Sequence, residues 1–445
     1  MVRNSAFHIA RLAAGAAFAA VLAGSAALAD VTVLGWPGGP EEAALRKAAE
    51  FYNASPGVGD NEKVKLIFFN RDSFFDKLQT DLAAGTKEFD INLTATYAVG
   101  RYAPYMEPLT LPESAKATFS DKVLATMQFE GKQYGVPTDL SMHYMYYRKD
   151  LMDKLMSDAG WKARFAEIGQ KVTGKAMEPK DPDAWTWDDY ATTAMFFTKS
   201  ANPDSPVRYG TVLQMKNLLF NMMIWHSTAR SNGGDWRDAS GKITVDSPAF
   251  RAGLELYKKL YDAGASPKDS LSYEYAEANA AFGSGQAATM LQWNAALGDL
   301  DSAEKTPQVA GKIGTVAPPA GSAGRVTHIH GLGLGLNKNS ANKEAALKFL
   351  NWLATPDAMV LYAKAGGSPA LTDAVVQRVA KERPDLAKLG AYAGTYGFVM
   401  NGGTSAKALA VYELQAKEFT GYWSGQTSLD AALANTAKGM ADLLK

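Results

Sequence analysis

Between residues 31 and 93, short β-branched runs alternate with amphipathic stretches, and that alternation limits the possible folds more than any other feature. Residues 31–34 (Val-Thr-Val-Leu) are the first run, broken by Gly35-Trp36-Pro37-Gly38-Gly39. Pro40 stands where a first-turn proline is tolerated, since its missing N–H has no helical partner there. Glu41 and Glu42 complement the positive end of the helix dipole. Leu45, Ala48, Ala49 and Tyr52 recur at i, i+3, i+4 and i+7, one face of a helix that Ser55-Pro56-Gly57 ends. Residues 64–69 predict a second strand and Asn70-Arg71-Asp72-Ser73 a turn. Phe74, Leu78 and Leu82 mark a second helix, and 89–93 a third strand. This order predicts an α/β fold, a parallel sheet covered by helices on both faces. Such sheets gather ligands at the carboxyl ends of their strands. Those ends carry Trp36, then Asn70 and Arg71, then Thr96 and Tyr97. An indole, an amide, a guanidinium and a phenol on one rim suit a neutral or weakly polar ligand.

Further along, the texture changes. Tyr134-Gly135-Val136-Pro137-Thr138-Asp139 reads as a loop with a carboxylate at its end, and Tyr144-Met145-Tyr146-Tyr147 as an aromatic strand. Helices dominate from about 150 to 285, one placed for capping by Asp188 and one over 249–263 ended by Gly264. Residues 288–291 predict a strand leading into Gln292-Trp293-Asn294. Residues 331–336 alternate glycine and leucine, a strand whose glycine face admits a close backbone or ligand. Helices follow to the end, interrupted at Gly366-Gly367-Ser368-Pro369. The 445 residues correspond to two or three folding units at roughly 150 residues each.

The first 29 residues predict an export signal. Arg3 and Arg11 precede an alanine-rich apolar stretch over 12–28, and Ala27-Leu28-Ala29 supplies the small-x-small cleavage pattern. Cleavage after Ala29 starts the mature chain at Asp30 and leaves 44 basic against 46 acidic groups. That near-neutral balance argues against a nucleic-acid partner. The chain has no cysteine, which excludes disulfide frameworks, thiol nucleophiles and Cys-based zinc or iron–sulfur sites. It also excludes a lipid anchor on a cysteine after the signal, and the periplasm is the expected compartment.

Catalytic signatures fail on inspection. Gly169 to Lys175 has P-loop spacing, but Ala176 stands where Ser or Thr must hold magnesium. Gly331, Gly333 and Gly335 miss the dinucleotide pattern because residue 336 is Leu. No G-x-S-x-G elbow or H-E-x-x-H helix is present. His328 and His330 share a strand face without an obvious third ligand, so no metal and no cofactor are expected. Acid pairs such as Asp188-Asp189 are better read as helix starts than as a glycosidase pair. Trp36, Trp225 and Trp293 lie at turns or strand ends, where indole faces can pack on the C–H faces of sugar rings.

Taken in order, these elements resemble the maltose-binding-protein-like carbohydrate-binding proteins of ABC importers. The resemblance rests on Pro40-Glu41-Glu42 and on Gly135-Val136-Pro137 before Tyr146-Tyr147-Arg148-Lys149-Asp150-Leu151. It continues with Tyr190-Ala191 after Trp187-Asp188-Asp189, Ala281-Phe282-Gly283-Ser284-Gly285-Gln286 before Trp293, and Asn342-Lys343-Glu344-Ala345-Ala346. It implies the two-lobe periplasmic-binding-protein fold with crossover hinge strands and a central ligand cleft. By that likeness the crossings fall near Thr138-Asp139, Leu291-Gln292-Trp293 and Ile329-His330-Gly331. The first lobe takes 30–138 with 293–328, and the second 139–292 with 329–445. The resemblance makes Trp36, Tyr97 and Thr138 ligand-binding residues of the cleft and Asp139 a carboxylate that accepts sugar hydroxyls. Trp293 becomes the stacking aromatic, and Gly367-Ser368 a loop offering backbone N–H groups; Arg71, Asn70, Asn294, His330 and Trp225 complete the expected set. It implies a monomeric, non-catalytic receptor for a carbohydrate, with permease transmembrane subunits as partners. A sugar alcohol, sugar acid or glycerol phosphate remains an alternative ligand, and a secreted glycosidase an alternative class.

Overall fold

A computed structural model of the chain describes residues 30–444, so the export signal expected over 1–29 lies outside the described residues. The expected alternation appears as the strands Val31–Gly35, Val64–Phe68 and Ile91–Ala95 with the helices Gly39–Asn53 and Phe74–Ala83 between them. The first strand pairs in parallel with the other two. Leu45, Ala48, Ala49 and Tyr52 are buried as their spacing requires.

Two long strands join the halves of the molecule. Val136–Arg148 and Thr327–Asn337 lie antiparallel to each other at the centre of the sheet. The distal part of the latter, 332–336, pairs with Ile91–Ala95 in the first lobe. Residues 143–147 of the former pair with Ala287–Trp293, which pairs with Tyr209–Val212 in the second. Residues 136–139 had read as a loop because Gly135 and Pro137 break a strand pattern. In the structure the strand already runs from Val136, and the register shifts opposite Pro137, which has no N–H to give to a ladder.

Strand pairing also revises the expected lobe boundaries. After Trp293 the chain runs through a 3-10 turn and the short helix Leu297–Leu300, and Ile313–Val316 pairs with residues 145–148. Residues 293–316 therefore stay with the second lobe, and the chain does not cross at 291–293. It returns to the first lobe along Thr327–Asn337. Helices Lys343–Leu353 and Pro356–Lys364 then pack there, Phe349 against Tyr52 with ring centres 5.1 Å apart. The last crossing falls between Val376 and Asp385, since the next helix sets Tyr392 against Tyr144 of the second lobe. Helices Ala408–Trp423 and Leu429–Leu443 complete that lobe against Leu219–Arg230 and Pro248–Asp262.

Two local expectations change as well. The helix Trp187–Phe196 is capped by Thr186, in a reciprocal box with Asp189, and not by Asp188. The glycine face of 331–335 admits protein, not ligand. A Cβ on Gly331 or Gly333 would stand 2.7 Å from Thr126 Oγ1 or from Met127 Sδ and the Val136 carbonyl.

Candidate ligand-binding cleft

A narrow, partly open cleft lies where the lobes meet. The first lobe supplies Trp36 and Tyr97, each just past a strand end, with Arg71 from the turn after Val64–Phe68 and Glu41 from the first turn of Gly39–Asn53. The second supplies Phe220 and Tyr275, near the starts of their helices, and Trp293 at the end of its strand. Ser141, His330 and Leu332 come from the crossing strands. Lobe-to-lobe contacts close the space: the Trp36 and Phe220 rings meet edge to face at 5.9 Å, and Lys216 pairs with Asp72 at 3.1 Å.

Arg71 organises the charge. Its guanidinium lies 4.8 Å from the ring centres of both Trp36 and Phe220. Glu41 Oε1 stands 3.5 Å from its Nη1 and also accepts the Trp36 indole N–H at 3.1 Å. Glu274, from the second lobe, places Oε1 3.7 Å from its Nε. Burial raises the pKa of both glutamates, and Arg71 only partly offsets this. Burial disfavours the charged Arg71, but the two carboxylates win and its pKa rises. His330 is pushed down to about 3, first by burial and then by Arg71, and so is a neutral imidazole.

Several buried polar atoms around the space have no hydrogen-bond partner: Arg71 Nε, Glu274 Oε1, Tyr97 Oη, Trp293 Nε1 and His330 Nδ1. Buried donors and acceptors are nearly always satisfied within a protein or by what it binds. These belong to both lobes and to a crossing strand, so one small polar molecule could meet all three.

The structure thus brings together Trp36, Arg71, Tyr97, Trp293 and His330 of the expected residues. Thr138 lines an adjoining space with Trp36, Glu41 and Tyr362. Asp139 accepts the Tyr362 hydroxyl at 2.5 Å and the Ser368 N–H at 2.6 Å, so its oxygens and that amide are engaged with each other. Ser368 also accepts from the Leu140 N–H, and Arg383 donates to the Gly367 carbonyl, which fixes the loop to the crossing strand. Asn294 takes the Met142 N–H at 2.9 Å and serves as a clip. Asn70 is exposed and accepts from the Ser73 N–H and hydroxyl, closing the turn before the next helix. Trp225 is not in the cleft: it is fully buried among Phe250, Phe419 and Trp423, its N–H on the Gly253 carbonyl. Its helix is buried on every side, and the neighbouring turn residues gave no hint of that.

Sequence reasoning missed Glu41, Ser141, Phe220, Glu274 and Tyr275. Glu41 had an ordinary explanation as a helix-dipole residue. Tyr273-Glu274-Tyr275 is the one detectable signal, an acid between aromatics at a helix start. Among the described residues, no group of three or more His, Asp or Glu side chains is arranged to hold a metal.

Residues 47–389 match the bacterial extracellular solute-binding protein family. The chain belongs to that family. Among curated relatives of this solute-binding protein, a probable amino-acid ABC transporter periplasmic-binding protein, y4oP, of Sinorhizobium fredii is 30% identical over 212 residues. That match covers 46% of each chain, so the chain spans about half the length of that relative. A lactose-binding protein of Rhizobium radiobacter is 27% identical over 76% of this chain and 74% of its own. The maltose-bound MalE3 structure of T. maritima superposes with a TM-score of 0.78 over 93% of this chain and all of the other, at 24% identity. That likeness is one of fold, and it makes the solute-binding protein a two-lobe periplasmic-binding-protein architecture. Among the described residues no helix is long and apolar enough to cross a membrane.

Proposed function

We propose that this solute-binding protein is the receptor component of an ABC importer and that its cargo is a sugar or sugar alcohol. The observation that carries the reading is the set of unpartnered polar atoms, on Tyr97, Trp293 and His330, around a space walled by aromatic rings from both lobes. Rings that pack on C–H faces beside scattered donors and acceptors fit a polyhydroxylated molecule. The names of the maltose- and lactose-binding relatives point the same way.

The work done is a binding cycle. An open form admits the ligand, and contacts from both lobes favour the closed form by shifting an existing population. The closed form docks on permease subunits in the membrane. No cofactor or metal enters this cycle, and the receptor acts as a monomer in the periplasm. A secreted glycosidase would instead consume its sugar, so ligand recovered unchanged after incubation separates the two classes. A thermal-shift screen over hexoses, disaccharides and hexitols tests the reading. Saturation at 100 times Kd stabilises the native state by about 2.7 kcal/mol and raises the melting point. A screen with no shift for any sugar or polyol overturns it.

A further inference from the structure

We infer that Glu274, reaching Arg71 from the second lobe, makes the cleft selective for uncharged ligands and turns it against sugar acids and sugar phosphates. The inference rests on the carbohydrate reading above and narrows it.

Of the side chains lining the cleft, only Arg71 and Glu41 are charged. An anionic ligand in a buried site needs a cation to itself, because an unpaired buried charge is costly. Arg71 is not available in that sense. Its faces are taken by Trp36 and Phe220, and its edge meets Glu41 at 3.5 Å and Glu274 at 3.7 Å. One guanidinium therefore faces two carboxyl groups, and an arriving carboxylate or phosphate would be the third. Lys216, the nearby cation of the second lobe, is paired with Asp72. His330 does not supply a positive charge, since burial keeps it neutral.

The lobes give this arrangement a direction. Glu41 and Arg71 both belong to the first lobe, whereas Glu274 stands at the start of the second-lobe helix Tyr275–Gly283. An anion that paired with Arg71 in an open form would compete with Glu274 for the same guanidinium, and so would oppose closure. An uncharged polyol leaves that ion pair in place and uses the Tyr97 hydroxyl and the Trp293 indole N–H. Selection by charge thus operates at the closing step.

The test is calorimetric titration of the wild type, Glu274→Gln and Glu41→Gln at low ionic strength. The probes are D-glucose and D-mannitol against D-gluconate and glucose 6-phosphate, with maltose against maltobionate if the disaccharide binds best. The wild type is expected to prefer the neutral probe by roughly 100-fold or more. Either variant should narrow that ratio by about tenfold. The ratio is the readout because loss of the lobe-bridging pair in Glu274→Gln weakens both ligands together, and Glu41→Gln removes a charge without touching that bridge. The inference is overturned if the wild type binds the acid within tenfold of its neutral counterpart, or if the ratio is unmoved in Glu274→Gln. The receptor reading survives that result. If no probe of either kind binds the wild type, the carbohydrate reading falls and takes this inference with it.

Discussion

Asp139 sits on the crossing strand with one oxygen on the Tyr362 hydroxyl and the other on the Ser368 amide, and burial raises its pKa. It fastens a first-lobe helix and a loop to the strand on which the lobes turn. Asp139→Asn can keep only one of those acceptors, and the loss expected in urea denaturation is about 2 kcal/mol. An unchanged midpoint and slope would show that the contacts are incidental. The histidines set a second residue-scale expectation. All four in the described residues form one buried group: His328 lies 5.6 Å from His330, 6.2 Å from His143 and 6.1 Å from His226 by ring centres. Burial lowers all four pKa values, to about 3 for His226 and His330. The unfolded chain therefore binds protons below pH 6.5 that the folded chain refuses. Stability is full above that pH and falls as pH drops toward 3. Glu41, Glu274 and Asp139, whose pKa values burial raises, act in the opposite sense and moderate the loss. Replacing His143, both of whose ring nitrogens lack partners, by Phe should flatten the fall in unfolding free energy between pH 6.5 and 5.5 by up to about 1.4 kcal/mol per unit. Equal slopes in the two proteins would contradict this account.

At the scale of elements, periodicity and punctuation made the first half of the first lobe legible. Turns at 35–39 and 70–73 located two strand ends, and Trp36 and Arg71 stand there beside the cleft, with Tyr97 just past the third strand. The crossing strands were harder. Their partners are remote in sequence, and a proline within a strand looks like a loop until the partner's bulge is seen. The glycines of 331–335 were visible as a close-packing face, but not what fills it. Gly333→Ala would press a methyl group to 2.7 Å from the Val136 carbonyl, on the neighbouring crossing strand. The expected cost is roughly 1–3 kcal/mol in chemical denaturation. A neutral effect would mean that the two crossing strands separate easily there.

For the whole molecule, the ordering of motifs was enough to indicate two lobes and a cleft, but lobe membership was not. A chain that crosses several times can be divided correctly only by strand pairing, and 313–316 pairing with 145–148 decides the matter. The second-lobe half of the site was hidden for a related reason. Phe220, Glu274 and Tyr275 reach the cleft from helix starts with no motif of their own, while Trp225, more conspicuous in the sequence, is core. On the proposed reading, the ligand sits between Trp36 and Arg71 of one lobe and Trp293 and Phe220 of the other. The most direct test of that placement is titration calorimetry of the best neutral ligand with the wild type, Trp293→Ala and Trp225→Phe. The account predicts that Trp293→Ala weakens binding by about 30-fold, near 2 kcal/mol, and that Trp225→Phe, a change confined to the second-lobe core, leaves Kd within twofold. A Trp293→Ala variant that binds as tightly as the wild type would contradict it.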